Sequence, residues 1–127
     1  MAGQDLAGLR VLVVEDDALL AMALELNLTG LGCEIVAMAA TLDDAVPLAR
    51  DAAIDGAILD VNLAGERVYP VADILASRNI PFLFATGYGT AALRDCDLSR
   101  PVLQKPYAID SVVQIARHWR SRREDGV

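Results

Sequence analysis

Aromatic residues make up only 5% of the 127 positions, and a single histidine, His118, is present. A core so poor in rings is filled by Ala, Val and Leu, which favours layered helices and buried strands. Positive charge is also scarce: 11 Lys and Arg against 18 Asp and Glu leave a formal net charge of −7. That balance argues against direct nucleic-acid binding, which depends on neutralising phosphates. Cys33 and Cys96 lie far apart with neither CxxC nor Cys/His spacing, so a metal-thiolate site is not expected and both read as free thiols in a reducing cytoplasm. No apolar run reaches the roughly 18 residues that span a bilayer, and Met1 to Gly8 lacks a basic start followed by an apolar stretch. The expectation is a soluble, cytoplasmic protein without membrane contact. Internal repeats, low-complexity tracts and linkers are missing too, and the length suits one domain over 1–127 with its core at about 9–120.

What the chain does have is organised around Gly56 to Asn62, GAILDVN. Its apolar run is short and continuous, as in a central parallel strand covered on both faces, and it ends in Asp60. Three other runs finish on polar groups: VLVVEDD on Glu15, Asp16 and Asp17, PFLFAT on Thr86, and PVLQK on Lys105. In an open parallel sheet such carboxyl ends share one edge, where ligands bind.

Between these runs the spacing predicts helices. The first strand covers Arg10 to Glu15, and Asp16 or Asp17 caps a helix over about Ala18 to Leu31. Leu20, Ala23, Leu24, Leu28 and Leu31 form its core stripe, while Leu19, Met22 and Leu26 widen the apolar surface. That breadth reads as a broadly buried helix in preference to a partner-docking surface. A second strand at Glu34 to Ala39 precedes a helix over about Leu42 to Ala52, with Thr41 and Asp44 resembling a capping box and Pro47 expected to bend it or delay its start. Leu63 to Tyr69 reads as a loop, and Pro70 as the first position of a helix to about Arg78. The fourth strand covers Ile80 to Thr86, a short helix is expected over Ala91 to Asp97, and the fifth strand spans Arg100 to Gln104. A final helix covers about Ala108 to Arg120, with frayed residues beyond it. Alternation of this kind implies right-handed crossovers and a three-layer α/β sandwich on a five-stranded parallel sheet.

Clustered acids repel, so Glu15, Asp16 and Asp60 at one edge require a cation or a raised pKa. A hard divalent ion such as Mg2+ fits oxygen ligands and commonly bridges carboxylates to phosphate oxygens. Lys105 adds positive charge and Thr86 a hydroxyl. Together they describe a cradle for a phosphoryl group, with Asp60 as the oxygen nucleophile. Each residue alone reads as a helix cap, a turn residue or a loop; their joint occurrence at strand ends carries the argument.

These segments resemble the receiver domains of bacterial two-component response regulators, over about Leu9 to Trp119 and through VLVVEDD, LDVNL, Thr86 and the Lys105–Pro106 pair. The resemblance implies a flavodoxin-like (βα)5 fold with sheet order 2-1-3-4-5, the order of a chemotaxis receiver. It implies Asp60 as phosphoacceptor, Asp16 as a direct Mg2+ ligand, Glu15 as a ligand through water, and Asn62 as a ligand through its backbone carbonyl. Thr86 and Lys105 would bind phosphoryl oxygens, and the bond before Pro106 is similar to one that is cis in the family. Two features depart from the common pattern. The fifth-strand aromatic expected three residues before the lysine is Val102, and PFLFATGYG resembles the subgroup named for its Phe-Ala-Thr-Gly-Tyr motif, many of whose members are stand-alone receivers in stress phosphorelays. Tyr88, between Gly87 and Gly89, is therefore the switch candidate that replaces the missing ring.

The resemblance implies a signalling phosphoacceptor that takes its phosphoryl group from a histidine kinase or histidine phosphotransfer protein. As a single-domain switch it would act on a downstream protein by contact, or serve as a phosphate sink, and would be no enzyme beyond its own phosphorylation and dephosphorylation. The alternatives are a receiver-like module that binds partners without phosphorylation and, further off, a small Mg2+ phosphatase. The latter usually has an Asp general acid where Asn62 stands. Ile115 and Trp119 read either as a weak homodimer or partner face or as a seal on the helix edge, with the seal preferred. His118, among Arg117, Arg120, Arg122 and Arg123, reads as part of a solvated cationic helix end.

Overall fold

A computed structural model of the chain describes residues 6–88 and 93–125, with side chains to Trp119 in the last helix. Its elements run β1 (Arg10–Val14), α1 (Ala18–Gly30), β2 (Glu34–Ala39), α2 (Leu42–Asp51), β3 (Gly56–Asp60), β4 (Asn62–Leu63), β5 (Glu66–Arg67), α3 (Tyr69–Ser77), β6 (Phe82–Thr86), β7 (Val102–Gln104) and α4 (Ile109–Asp125). A 3-10 turn at Asp95–Asp97 precedes β7.

Five strands form one parallel sheet in the order β2-β1-β3-β6-β7. Counted along the chain this is 2-1-3-6-7, not the expected 2-1-3-4-5. The difference comes from β4 and β5, a small antiparallel hairpin outside the main sheet where a loop was expected. Two residues per strand are too few to show a period of two, so the pairing leaves no pattern to read.

Alternation along the strands divides the core in two. Leu12, Val14, Ala57, Leu59, Phe82 and Phe84 face one layer with Ala45, Ala49, Val71, Ala72 and Leu75 of α2 and α3. Val11, Val13, Ile58 and Leu83 face the other, with Leu24 and Leu28 of α1 and Val112, Ala116 and Trp119 of α4. Because β3 and β6 are buried at every position, their sequences are continuous apolar runs, as expected of strands covered on both faces.

The helix ends follow local chemistry. The Asp17 carboxylate accepts from the N–H groups of Leu19 and Leu20, so Asp17 is the cap of α1. Thr41 Oγ1 accepts from Asp44 N–H, and α2 starts at Leu42 despite Pro47 in its interior. Pro70 lies in the first turn of α3.

Several expectations are corrected. The first helix is not broadly buried: Leu19 is 78% exposed, Leu26 67% and Met22 54%. Ala21 takes the core place expected of Ala23, which is exposed. A helix apolar on every side gives no periodic signal to say which side faces inward. The expected helix over Ala91 to Asp97 is a 3-10 turn over its last three residues, and 89–92 lie outside the described residues. The last helix continues past Arg120 to Asp125. Trp119 is not at a margin but is buried beneath β3, where Gly56 makes room for it. A Cβ on Gly56 would overlap the indole Cε3.

Candidate functional site

The carboxyl ends of β1, β3, β6 and β7 deliver the expected side chains to one place. Three carboxylate oxygens, one each from Glu15, Asp16 and Asp60, lie within 4.8 Å of one another. Lys105 Nζ donates to Glu15 Oε1 at 2.9 Å and to Asp60 Oδ2 at 3.0 Å. Backbone pairing fixes this convergence: Val61 N–H donates to Ala85 O at 3.0 Å, and Lys105 N–H donates to Thr86 O at 2.8 Å. The strand ends of Asp60, Thr86 and Lys105 are thereby held side by side.

Three further carboxylate oxygens accept backbone hydrogen bonds. Glu15 Oε2 accepts from Asp17 N–H at 3.0 Å, and Asp60 Oδ1 accepts from Asn62 N–H at 3.3 Å. Asp16 Oδ2 accepts from Ala64 N–H at 2.8 Å. Thr86 Oγ1 accepts from Tyr88 N–H at 3.1 Å, which leaves the hydroxyl proton free to donate elsewhere. Glu15, Asp60 and Thr86 are buried, while Asp16 and Asn62 are exposed at the mouth.

The electrostatics are unbalanced, with three carboxylates meeting one ammonium. Burial, then hydrogen bonding with Asp60, pushes the Glu15 carboxyl up to about 7, against the opposing pull of Lys105. Burial also opposes ionisation of Asp16, but the Ala64 N–H and the neighbouring side chains outweigh it and hold that carboxyl below its ordinary value. Lys105 is likewise opposed by burial, yet its bonds to Glu15 and Asp60 raise its pKa and keep it charged. Hard oxygen donors in excess of the available positive charge fit a hard divalent cation.

Two groups here escaped the sequence reading. The Ala64 N–H belongs to the unforeseen hairpin. The Tyr107 hydroxyl is buried without a hydrogen-bond partner, and its pKa is pushed up to about 12 by burial and by the charge of Glu15. The Lys-Pro-Tyr run alone carries no sign of that burial. Tyr88 is 71% exposed, Gly89 lies outside the described residues, and His118 is exposed on α4. The Lys105–Pro106 bond is cis. Ile115 is half-buried against the α1–α4 core, and Trp119 is a core residue inside it, neither an edge seal nor a partner face.

No family model matches the chain. It is 44% identical to SdrG from Sphingomonas melonis, whose structure it matches with a TM-score of 0.76 over 86% of this chain and 94% of that one. A structure of SdrG from Pseudomonas melonis in a BeF3-activated conformation is 40% identical, with a TM-score of 0.72 over 94% and 99% of the two chains. The REC domain of the response regulator PhyR from Erythrobacter litoralis is 28% identical, with a TM-score of 0.76 over 90% and 91%. Phyllosphere-induced regulator PhyR of Methylorubrum extorquens is 36% identical over 93 residues, 68% of this chain, and the chain spans only 35% of that protein's length.

Proposed function

Because the chain belongs to the receiver domains of response regulators, we propose that it is a phosphoryl-accepting signalling switch with Asp60 as acceptor and Mg2+ as cofactor. The observation that carries this reading is the Lys105 ammonium shared between Asp60 and Glu15, with Asp16 beside them. Residues 84–88 read Phe-Ala-Thr-Gly-Tyr, and we place the chain in the subgroup named for that motif.

The Asp60 carboxylate attacks the phosphorus of a phosphohistidine carried by a histidine kinase or a histidine phosphotransfer protein. The P–N bond breaks, its electron pair stays on the imidazole, and an aspartyl phosphate forms. Glu15, Asp16, Asp60 and the Asn62 backbone carbonyl would hold the magnesium ion, which when bound neutralises charge on the phosphoryl oxygens. As Asp60 becomes an acyl phosphate its carboxylate charge is lost, and Lys105 turns to a phosphoryl oxygen. Water attack on the same phosphorus later restores the carboxylate and releases inorganic phosphate.

Thr86 donates its hydroxyl proton to another phosphoryl oxygen while accepting from Tyr88 N–H. Engagement of Thr86 is therefore felt at Tyr88, the reporter in a chain that has Val102 in place of the usual aromatic. The exposed Leu19, Met22 and Leu26 of α1, which starts beside Asp16 and Asp17, supply apolar surface for a protein partner. The BeF3-activated conformation of the SdrG relative supports the phosphoacceptor reading.

Incubation with Mg2+ and beryllofluoride or acetyl phosphate, followed by mass and amide spectra, tests the proposal. Wild type should show a magnesium-dependent adduct or spectral change, and Asp60→Ala none. If neither responds, the phosphorylation-independent binding module takes its place. Tyr88→Ala should blunt the phosphorylation-dependent change in partner affinity; an unchanged response refutes the reporter role.

A further inference from the structure

Asp16 differs from the other acids of the site in how it is held. Glu15 is buried and bonded to Lys105 and Asp17, and Asp60 is buried and bonded to Lys105 and Asn62. Asp16 is exposed, and its carboxylate accepts a backbone hydrogen bond from a residue 48 positions further along the chain, Ala64.

That donor comes from the tip of the β4–β5 hairpin. Leu63 pairs with Glu66, so Ala64 and Gly65 form a two-residue turn, and both have positive φ, 49° and 92°. Positive φ at both central positions is the requirement of a type I′ turn. The hairpin is anchored at its base. Leu63 is buried in the core, and Val68 N–H donates to Val61 O at 2.9 Å. The tip thus presents a fixed N–H to an otherwise solvent-exposed carboxylate.

We propose that the Ala64–Gly65 turn is a positioning device for the divalent cation, fixing Asp16 Oδ2 so that the carboxylate is pre-oriented before the ion arrives. The inference rests on the phosphoacceptor reading for the role of the ion, and Ala64 and Gly65 are positioning residues only. Groups that orient a ligating carboxylate typically change metal affinity about 10–100-fold when lost. The requirement at Gly65 is conformational and not steric, because an added Cβ would meet nothing within 4 Å. A residue that tolerates the left-handed region, such as Asn, should therefore preserve the device, whereas a β-branched residue should destroy it.

The test uses the full chain titrated with MgCl2 alone and followed by calorimetry and by amide spectra, for wild type, Gly65→Asn, Gly65→Ala and Gly65→Val. Hydrogen exchange of the Ala64 amide without metal provides a second readout. Mg2+ affinity should fall about tenfold in Gly65→Val and stay near wild type in Gly65→Asn, with Gly65→Ala between them. Ala64 should be protected from exchange in wild type and lose that protection in Asp16→Ala. Should Gly65→Val fail to fold, the ranking of Ala below Asn decides the question. Equal affinities in all folded variants, or equal losses in the Asn and Ala variants, overturn the inference alone. Wild type that binds no Mg2+ overturns the proposed function as well.

Discussion

The two ends of the same sheet are built on opposite terms. At the amino end of β3 the Trp119 indole lies flat against the hydrogen of Gly56, and Arg10 N–H donates to Asp55 Oδ2 at 2.8 Å while its guanidinium pairs with the same carboxylate. Shape and net charge are matched there, although the buried Arg10 Nε, like the Tyr107 hydroxyl at the other end, makes no hydrogen bond. At the carboxyl end two buried acids share one ammonium, a third stands beside them, and a buried hydroxyl at Tyr107 has no partner. The first arrangement stabilises the fold; the second leaves negative charge in excess, which under the proposed function is held for a ligand.

The largest expected effect belongs to the sealed end. Gly56→Val drives a branched side chain into the indole ring and should destabilise the protein by about 3 kcal/mol, read by urea unfolding with Trp119 fluorescence. Beryllofluoride binding should survive in the folded fraction. Next is Lys105→Met, which leaves Glu15 and Asp60 face to face. We expect a loss of about 2 kcal/mol near pH 7.5, less than for a fully buried pair because the lysine is partly solvated. Added Mg2+ should restore most of it.

A pH dependence follows from Glu15. Its folded-state pKa of about 7 lies above the ordinary 4.5, so the folded protein binds the extra proton. The stability this contributes is full below about pH 4.5 and is lost as pH rises through about 7. Without divalent cation the Tm should therefore fall across that window, and Glu15→Gln should flatten the fall. A smaller contrast separates the thiols. Burial pushes the Cys33 thiol up to about 12, and Cys96 is exposed. A thiol reagent at about pH 8 should label Cys96 in the native protein and Cys33 only on unfolding. Smallest in stability is Leu26→Ser, expected to stay within about 0.5 kcal/mol while weakening phosphoryl transfer from a protein donor.

The carboxyl end was the more legible of the two. Buried parallel strands are continuous apolar runs, so their boundaries, and the polar residues that end them, show in the sequence as Asp60, Thr86 and Lys105. The structure brings these together with Glu15 and Asp16. The seal was harder to read, because the recess that receives Trp119 is made by a glycine in another element. The hairpin left only one cue, Gly65, since Ala64 adopts a positive φ without being glycine. The outward face of α1 was hidden by its uniform apolarity, and only packing against β1 and α4 selects Leu24 and Leu28 as the inner residues.

The contrast between the two ends is tested most directly by melting wild type and Asp60→Asn with and without Mg2+ and beryllofluoride. If the carboxyl end is held in reserve for a ligand, the unliganded variant melts no lower than wild type, and ligand raises the Tm of wild type alone. A lower Tm in the unliganded variant, or the same ligand-induced rise in both proteins, would contradict the account.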